Sequence, residues 1–512
     1  MLFAIYSTAV TLLELLYGAE VLAHSGNPLV TGVEYDSRQV KPGDVFVAMR
    51  GESSDGNRFI ERAIDAGAVA IVTDDPAQKP AALAWAQIAH GRQALARMSA
   101  NFYGYPAEKL TITGITGTNG KSTTAFLLES ILNGAGRTTA LVGTIEYHVA
   151  GKVFPAPHTT PESLELNRLF RDAIENAATE AVMEVSSHAL AQQRTYGVPF
   201  DVAIFTNFTR DHLDYHGTME GYFAAKKILF EGSGAPAPRV AVLNTDDEAG
   251  GHLVKFCRNQ GSEVITYGLA KADFHVSKLD VSTRGTRFDL VTTDETIPIS
   301  SSLIGRVNAY NILAAAAAAH ARGCQSEDIA AGVSALARVP GRFERVDCTQ
   351  PFTVAVDYAH TDDALRNLTV LARELAKPNG GRVITVFGCG GDRDRAKRPL
   401  MGEAAGRGSD FVVLTSDNPR SEDPLAIIND AVIGLQRSGT TYKTEPDRAT
   451  AIRMAISEAR KGDIVLIAGK GHEKVQISRS GTAAFDDRQV ACDSLRELGY
   501  DCERKATAEQ TA

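Results

Sequence analysis

Between Gly114 and Thr124 the chain reads GITGTNGKSTT, a run whose residue types suit the holding of phosphate. Gly117 and Gly120, with Thr118 and Asn119 between them, can present backbone N–H groups to phosphate oxygens, and the helix pattern that follows adds its positive end. Lys121 offers a charge for the terminal phosphates; Ser122, ahead of Thr123, offers a hydroxyl that can ligate Mg2+. The spacing departs from G-x-x-x-x-G-K-S/T, since Ile115 stands where the first glycine is required and Gly114 lies one residue earlier. A glycine turn with a solvent-facing lysine is the plain alternative. The context of apolar strand, glycine loop and helical pattern favours binding of a nucleoside triphosphate.

Other candidates close apolar runs. Glu184 ends EAVMEV, and His212 lies in the turn TRDHLDYH after DVAIFTNF, so both have rim positions, although a lone loop histidine is ordinarily a hydrogen-bonding or solvent-facing residue. Further on, SDNPR carries Asp417, Asn418, Pro419 and Arg420. Arg420 can make a planar two-point contact with a carboxylate, and a buried guanidinium left unpaired would penalise a substrate lacking that group. Asp417 and Asn418 can meet an ammonium group or order the turn. Arg393 of FGCGGDRD could grip another carboxylate, while the Gly469 backbone and Glu473 of GKGHE could hold the far end of an amino acid. Alone, SDNPR is equally a surface turn. FGCGGDRD misses the G-x-G-x-x-G dinucleotide fingerprint because position 393 is arginine.

The elements that must position these residues form an α/β rhythm throughout, with short apolar strands alternating with helical patterns, the mark of parallel sheets. Ligands gather at the carboxyl ends of such strands. At roughly 150 residues per domain the length suggests several domains, and the pattern divides into residues 1–108, 109–337 and 338–512. In the second block the alanine run of NAYNILAAAAAAHARG reads as close helix packing. A net charge of −9 argues against nucleic acid or an anionic membrane as partner. Six cysteines without a C-x-x-C pair indicate neither a zinc ribbon nor a disulfide framework, so reduced thiols and a cytoplasmic location are expected. The apolar opening from Met1 to Ala23 lacks a basic start and contains Glu14 and Glu20, so a helix of the folded protein is expected there rather than a signal peptide.

The strings GTNGKST, EVSSHAL and TNFTRDHLDYHGTMEGYFAAKK, with DSRQVKPGDVFVAMRGESSDG before them and GRVNAYN, DYAHT, GCGGDRDRAKRP, SDNPR and GKGHE after, resemble the ATP-dependent Mur ligases of peptidoglycan synthesis over nearly the whole chain. The resemblance implies a three-domain α/β architecture with a P-loop-like central domain and a Rossmann-like C-terminal one. It implies addition of meso-2,6-diaminopimelate to UDP-MurNAc-L-alanyl-D-glutamate through an acyl phosphate, with ATP and Mg2+. Ser122, Glu184, His212 and Lys226 would hold the metal, Lys226 as a carbamate formed with CO2. Helix periodicity does not choose between Lys226 and Lys227, and an exposed lysine pair is the alternative. Ser37 and the turn Glu52, Ser53, Ser54 would take the uridine nucleotide, although DSR alone reads as an ordinary turn. Thr159, Thr160, Ser186, Gln192 and Arg194 would hold the dipeptide, with a helix-capping role open for Thr159. Asn308 would offer its amide to adenine, and Arg342 and DYAHT would approach the nucleotide as domains close. Asp362 stands where many relatives have proline after DYAHT, which bears on the rigidity of that turn. The resemblance further implies a monomer. An L-lysine-adding ligase, a folylpolyglutamate synthase and a nucleotide-dependent regulatory protein are the competing readings.

Overall fold

Runs such as Val202–Phe205 and Ile464–Ala468 are apolar at every position because their sheets are covered on both faces, as parallel strands flanked by helices require. The computed structural model describes residues 9–51, 54–77 and 83–502. Three large sheets, of five, eleven and six strands, carry the described chain.

The first sheet runs in the order Val21–Ser25, Ala84–Ile88, Ala70–Thr73, Asp44–Ala48, Gly32–Glu34, parallel except for its first strand. In the central sheet, Thr139–Val142, Glu180–Glu184, Thr111–Thr116, Val202–Phe205, Val240–Asn244 and Glu263–Gly268 lie side by side and parallel. Antiparallel strands extend one edge, and at the other Phe274–Ser282 pairs in parallel before two antiparallel strands follow. The chain leaves Thr111–Thr116 towards one edge and later resumes on its other side, so the strand order reverses there and opens a crevice over the carboxyl ends. Helix Arg306–Ala321 buries Ala314 to Ala319 completely against the sheet and helix Lys121–Gly134. Bulkier side chains would push these elements apart, which is the reason for the alanine run.

The third sheet aligns Thr353–Asp357, Ile464–Ala468, Val383–Cys389, Phe411–Ser416 and Thr441–Thr444 in parallel, with Glu344–Arg345 antiparallel at one edge. Helices Asp362–Ala376, Lys397–Gly408 and Pro424–Ser438 cover one face, and Arg448–Glu458 and Asp487–Glu497 the other. Polar contacts tie the bodies together: Arg92 to Glu162 at 2.9 Å between the first and second, Arg210 to Asp394 at 3.4 Å between the second and third. Among the described residues no helix is long and apolar enough to cross a membrane.

Two sequence expectations fail. The opening stretch is not one helix: its described part gives strand Val10–Thr11, a single helical turn at Leu12–Leu15, and strand Val21–Ser25. Thr11 and Glu14 form a capping box that starts the turn, and Gly18 at φ 78° sends the chain away from it; Leu12, Leu15 and Leu16 still reach the core. The thiols are not all free either, because Cys348 and Cys502 form a disulfide. Hydrogen bonds from Thr349 N–H to Asp501 O, 3.1 Å, and from Asp501 N–H to Thr349 Oγ1, 2.9 Å, bring the two segments together. A pairing 154 residues apart leaves no local spacing signal.

Glu180, buried at the start of its strand, accepts from Arg137 at 2.6 Å and from Arg322 at 3.1 Å, locking the sheet to the end of the alanine helix. Glu180→Ala strands both guanidinium groups and is expected to destabilise the central body by about 3 kcal/mol, read as a lowered urea midpoint.

Candidate active site

The loop after strand Thr111–Thr116 is laced to the next strand's end. Thr118 N–H donates to Asn207 O at 2.9 Å, Asn119 N–H to Asn207 Oδ1 at 2.8 Å, and the Thr206 hydroxyl to Asn119 O at 2.7 Å. Gly117 has φ 145°, and a Cβ there would lie 1.9 Å from Thr206 Oγ1, so only glycine fits. Lys121 begins the following helix and folds back, its Nζ donating to Gly117 O at 3.0 Å and Thr118 O at 2.9 Å. Burial lowers its pKa, opposed by the Glu184 carboxylate.

Helix Met219–Glu231 separates the lysine pair that periodicity left undecided. Lys226 is buried, donates to Gly117 O at 2.7 Å and lies 4.3 Å from the Tyr222 ring centre. Lys227 instead pairs with Glu231 at 3.0 Å and covers the Phe256 ring. Burial, reinforced by Lys121, drives the Lys226 pKa well below that of a free lysine. Glu184 accepts from Thr144 N–H at 2.8 Å and Thr144 Oγ1 at 3.0 Å, which fixes its carboxylate. His212 stands in the left-handed region at φ 53°, and burial lowers its pKa, with Asp211 opposing and His188, Lys121 and Lys226 adding to the effect. A hydroxyl at Ser122 and an oriented carboxylate at Glu184 are oxygen donors of the type that fits Mg2+, while the His212 ring nitrogen is a softer donor beside them. An unmodified Lys226 amine offers no oxygen.

A cavity of about 360 Å³ opens beside the loop, lined by Asn119, Gly120 and Thr123, by Asn308 and Asn311 of the alanine helix, and by Arg342, Tyr358 and His360 of the third body. Asn308 donates to Ile304 O at 2.9 Å and accepts from Asn311 at 3.0 Å. Arg342 donates to Ser122 Oγ at 3.1 Å and stacks 4.9 Å from the Tyr358 ring centre, while its Nε is a buried donor without a partner. A buried guanidinium donor of this kind can take an acceptor oxygen from a bound molecule. Asp357 accepts from the N–H groups of Phe343, 2.7 Å, and Ala359, 2.8 Å, holding the crossing segment. The missing proline leaves the adjoining turn ordered: Asp362 is the first residue of its helix, Thr361 Oγ1 accepts from Ala364 N–H at 3.2 Å, and Asp362 pairs with Arg366 at 3.5 Å.

Beyond Glu184, Arg194 donates to Gln192 Oε1 at 2.7 Å and Thr160 O at 2.9 Å and pairs with Glu162 at 3.0 Å. The Thr160 hydroxyl donates to Glu184 O and accepts from Ser186 N–H, binding this group to the same strand end. Thr159 is no helix cap. Glu162 holds that position, and the Thr159 hydroxyl bonds Thr144 Oγ1 at 3.0 Å.

In the third body, Arg393, Asp417, Asn418, Arg420, Gly469 and Glu473 converge on one cavity of about 130 Å³, with Pro419 in the backbone beside them. Asn418 donates to Glu473 Oε2 at 2.8 Å and Arg420 to Gly391 O at 2.8 Å, from a left-handed backbone at φ 52°. Gly469 has φ 116°, and a Cβ would meet Asp417 Oδ2 at 2.5 Å. Arg393 and Lys397 also line a cavity of about 290 Å³ that reaches His188, Asp211 and His212. Tyr358 and His360 are shared with the cavity beside the glycine loop. The three spaces form one tract. Ser37, buried, and Ser54, exposed, stand apart from these cavities, and Glu52 and Ser53 lie outside the described residues.

Sequence reasoning missed Thr144, Lys397 and Lys470. Lys470 is fully buried within GKGHE and donates to Asn418 Oδ1 at 2.9 Å and Glu473 Oε2 at 3.2 Å. A lysine between glycines after an apolar strand was an available signal. Thr144 had none, since its role depends on a strand pairing distant in sequence.

Residues 29–103 match the model described as Mur ligase family, catalytic domain, residues 115–319 the Mur ligase middle domain, and residues 341–471 the Mur ligase, glutamate ligase domain. The chain is 55% identical over 472 residues to a UDP-N-acetylmuramoyl-L-alanyl-D-glutamate--2,6-diaminopimelate ligase of Solibacter usitatus, covering 92% of this chain and 94% of that protein. A Geobacter metallireducens protein of the same description is 45% identical over 489 residues, with 92% and 94% covered. A solved structure of a ligase with that description superposes with a TM-score of 0.68 at 33% identity, covering 96% of this chain and all of the other.

Gly117→Ala is expected to weaken binding of a non-hydrolysable ATP analogue roughly hundredfold while the protein stays folded, as calorimetric titration beside a thermal melt would record.

Proposed function

This chain belongs to the Mur ligase family, and from that membership and the chemistry of its joined cavities we propose that it adds meso-2,6-diaminopimelate to UDP-N-acetylmuramoyl-L-alanyl-D-glutamate at the expense of ATP. The observation that supports the reading is the tract itself, in which a phosphate loop, a passage lined by both acidic and basic side chains and a pocket holding Arg393, Arg420, Asp417 and Glu473 share walls.

The D-glutamyl carboxylate attacks the γ-phosphorus of ATP; ADP leaves and an acyl phosphate forms. The amine of diaminopimelate then attacks the acyl carbon, and phosphate departs with the amide made and a proton released. Lys121 and the N–H groups at the start of its helix hold the phosphates, those of Thr118 and Asn119 being engaged by Asn207, with Arg342 and its unpartnered Nε added from the third body. Thr160, Ser186, Gln192 and Arg194 orient the dipeptide next to Glu184. Asn308 faces adenine, and Ser37 with the turn around Ser54 takes the uridine nucleotide in a first domain of residues 1–108. Residues 109–337 form the ATP domain and 338–512 the amino-acid domain. Mg2+ held by Ser122, Glu184 and His212 would neutralise phosphate charge when bound.

Lys226 would join that set as a carbamate: the neutral amine adds CO2 and releases a proton, giving an anionic oxygen ligand. Its burial and depressed pKa support this, because only the unprotonated amine reacts. Each chain holds a full set of cavities, so a monomer suffices, and the ATP-dependent reaction belongs in the cytoplasm.

Diaminopimelate and L-lysine differ mainly by one carboxylate, and the arginine pair favours the former. Phosphate release with the UDP-dipeptide, ATP and meso-diaminopimelate is expected to exceed that with L-lysine by about two orders of magnitude, and equal turnover would refute the specificity. Arg420→Ala should raise KM for diaminopimelate by at least about tenfold. Lys226→Ala should abolish turnover where Lys227→Ala changes it less than about twofold, and mass spectrometry of the native enzyme should find a CO2 adduct lost on acidification.

A further inference from the structure

Helices Arg448–Glu458 and Asp487–Glu497 lie against the same face of the third sheet, and their first residues meet at the ends of the strands whose loops line the amino-acid cavity. Arg448 Nε and Nη2 each donate to one Asp487 oxygen at 2.7 Å, and both side chains are withdrawn from water. A buried ion pair of this kind rarely improves stability over a well-packed apolar pair, so its retention calls for another account.

The remaining donors supply one. Arg448 Nη2 also reaches Ala468 O at 3.0 Å, and Nη1 reaches Ser416 O at 3.3 Å. Ser416 and Ala468 are the last residues of two strands that are not neighbours, since Val383–Cys389 runs between them. The next residues after Ser416 are Asp417, Asn418, Pro419 and Arg420, and after Ala468 come Gly469, Lys470 and, shortly, Glu473. One rigid fork therefore spans the roots of the two loops that line the cavity and meet above it through Asn418, Lys470 and Glu473.

We infer that Arg448, oriented by Asp487, is a positioning residue for amino-acid selection: it fixes the spacing between the loop bearing Arg420 and the loop bearing Glu473. The inference rests on the ligase reading. A planar guanidinium can hold a carboxylate and two carbonyls in one geometry; a lysine ammonium carries its three donors on one nitrogen and cannot span the same four oxygens. Loosened roots would let the two loops drift, so the selectivity for two separated charged ends of the substrate would fall before nucleotide binding changed.

The test uses full-length Arg448→Lys, Arg448→Met and the isosteric Asp487→Asn. Steady-state phosphate release is expected to give a KM for meso-diaminopimelate raised about tenfold or more, a reduced preference over L-lysine, and KM values for ATP and the UDP-dipeptide within about twofold of the parent. Hydrogen–deuterium exchange is expected to quicken at 417–420 and 469–473 and stay unchanged at 117–122. A common rise in all three KM values, or unchanged diaminopimelate KM with lowered thermal stability alone, would overturn the proposal. Should the unsubstituted enzyme release no phosphate with any amino acid, the ligase reading falls, and the exchange data still decide the positioning claim, with unaltered loops counting against it. If the arginine variants do not fold, Asp487→Asn carries both measurements.

Discussion

Keeping positive charge out of water is the constraint on which the rest of the site depends. The chain carries a net charge of −9, yet its site has basic groups whose pairing and burial are set by the fold: Lys121 on the Gly117 and Thr118 carbonyls, Arg342 on Ser122, Lys470 on Asn418 and Glu473. Each is held in place by oxygen atoms, and Arg342 keeps a buried Nε without a partner. A flexible surface lysine would collapse onto the nearest carboxylate and be screened by salt.

The central and third sheets solve that problem in the same way. Parallel strands buried on both faces are stiff, and their carboxyl ends offer a row of turns whose spacing is fixed by the ladder beneath. In the central sheet the row carries the phosphate loop, Glu184 and Asn207; in the third it carries Tyr358, Arg393, Asn418 and Gly469. Facing the rows towards each other makes three cavities continuous without a long connecting loop. Arg342 and Asp357 occupy the crossing between them, so a single short segment reports the position of the third body to Ser122.

Features carried by contiguous residues were legible in the sequence. The phosphate loop, the strand-ending motifs and the α/β alternation depend on neighbours within a few positions. What required the structure was any property set by direction or by distant pairing. Lys226 and Lys227 are equivalent as letters and separate only when the helix has a face to bury. Thr144 acquires meaning from its position against Glu184, and Cys348 from the return of the chain end. The opening apolar stretch misled because hydrophobicity alone does not distinguish a helix from a turn and an edge strand, and Gly18 decided the matter.

His212, Phe343, Asp392 and Arg420 all adopt left-handed backbone conformations, at φ 53°, 43°, 52° and 52°. Each departure from the ordinary regions costs on the order of 1 kcal/mol, and glycine would relieve it. Selection for folding alone would therefore drift towards glycine at these four turns, and it would erase the histidine and arginine in doing so. A sequence optimised for thermal robustness is thus a poor guide to a working enzyme here, and consensus-based stabilisation of this fold has to leave those strained turns untouched.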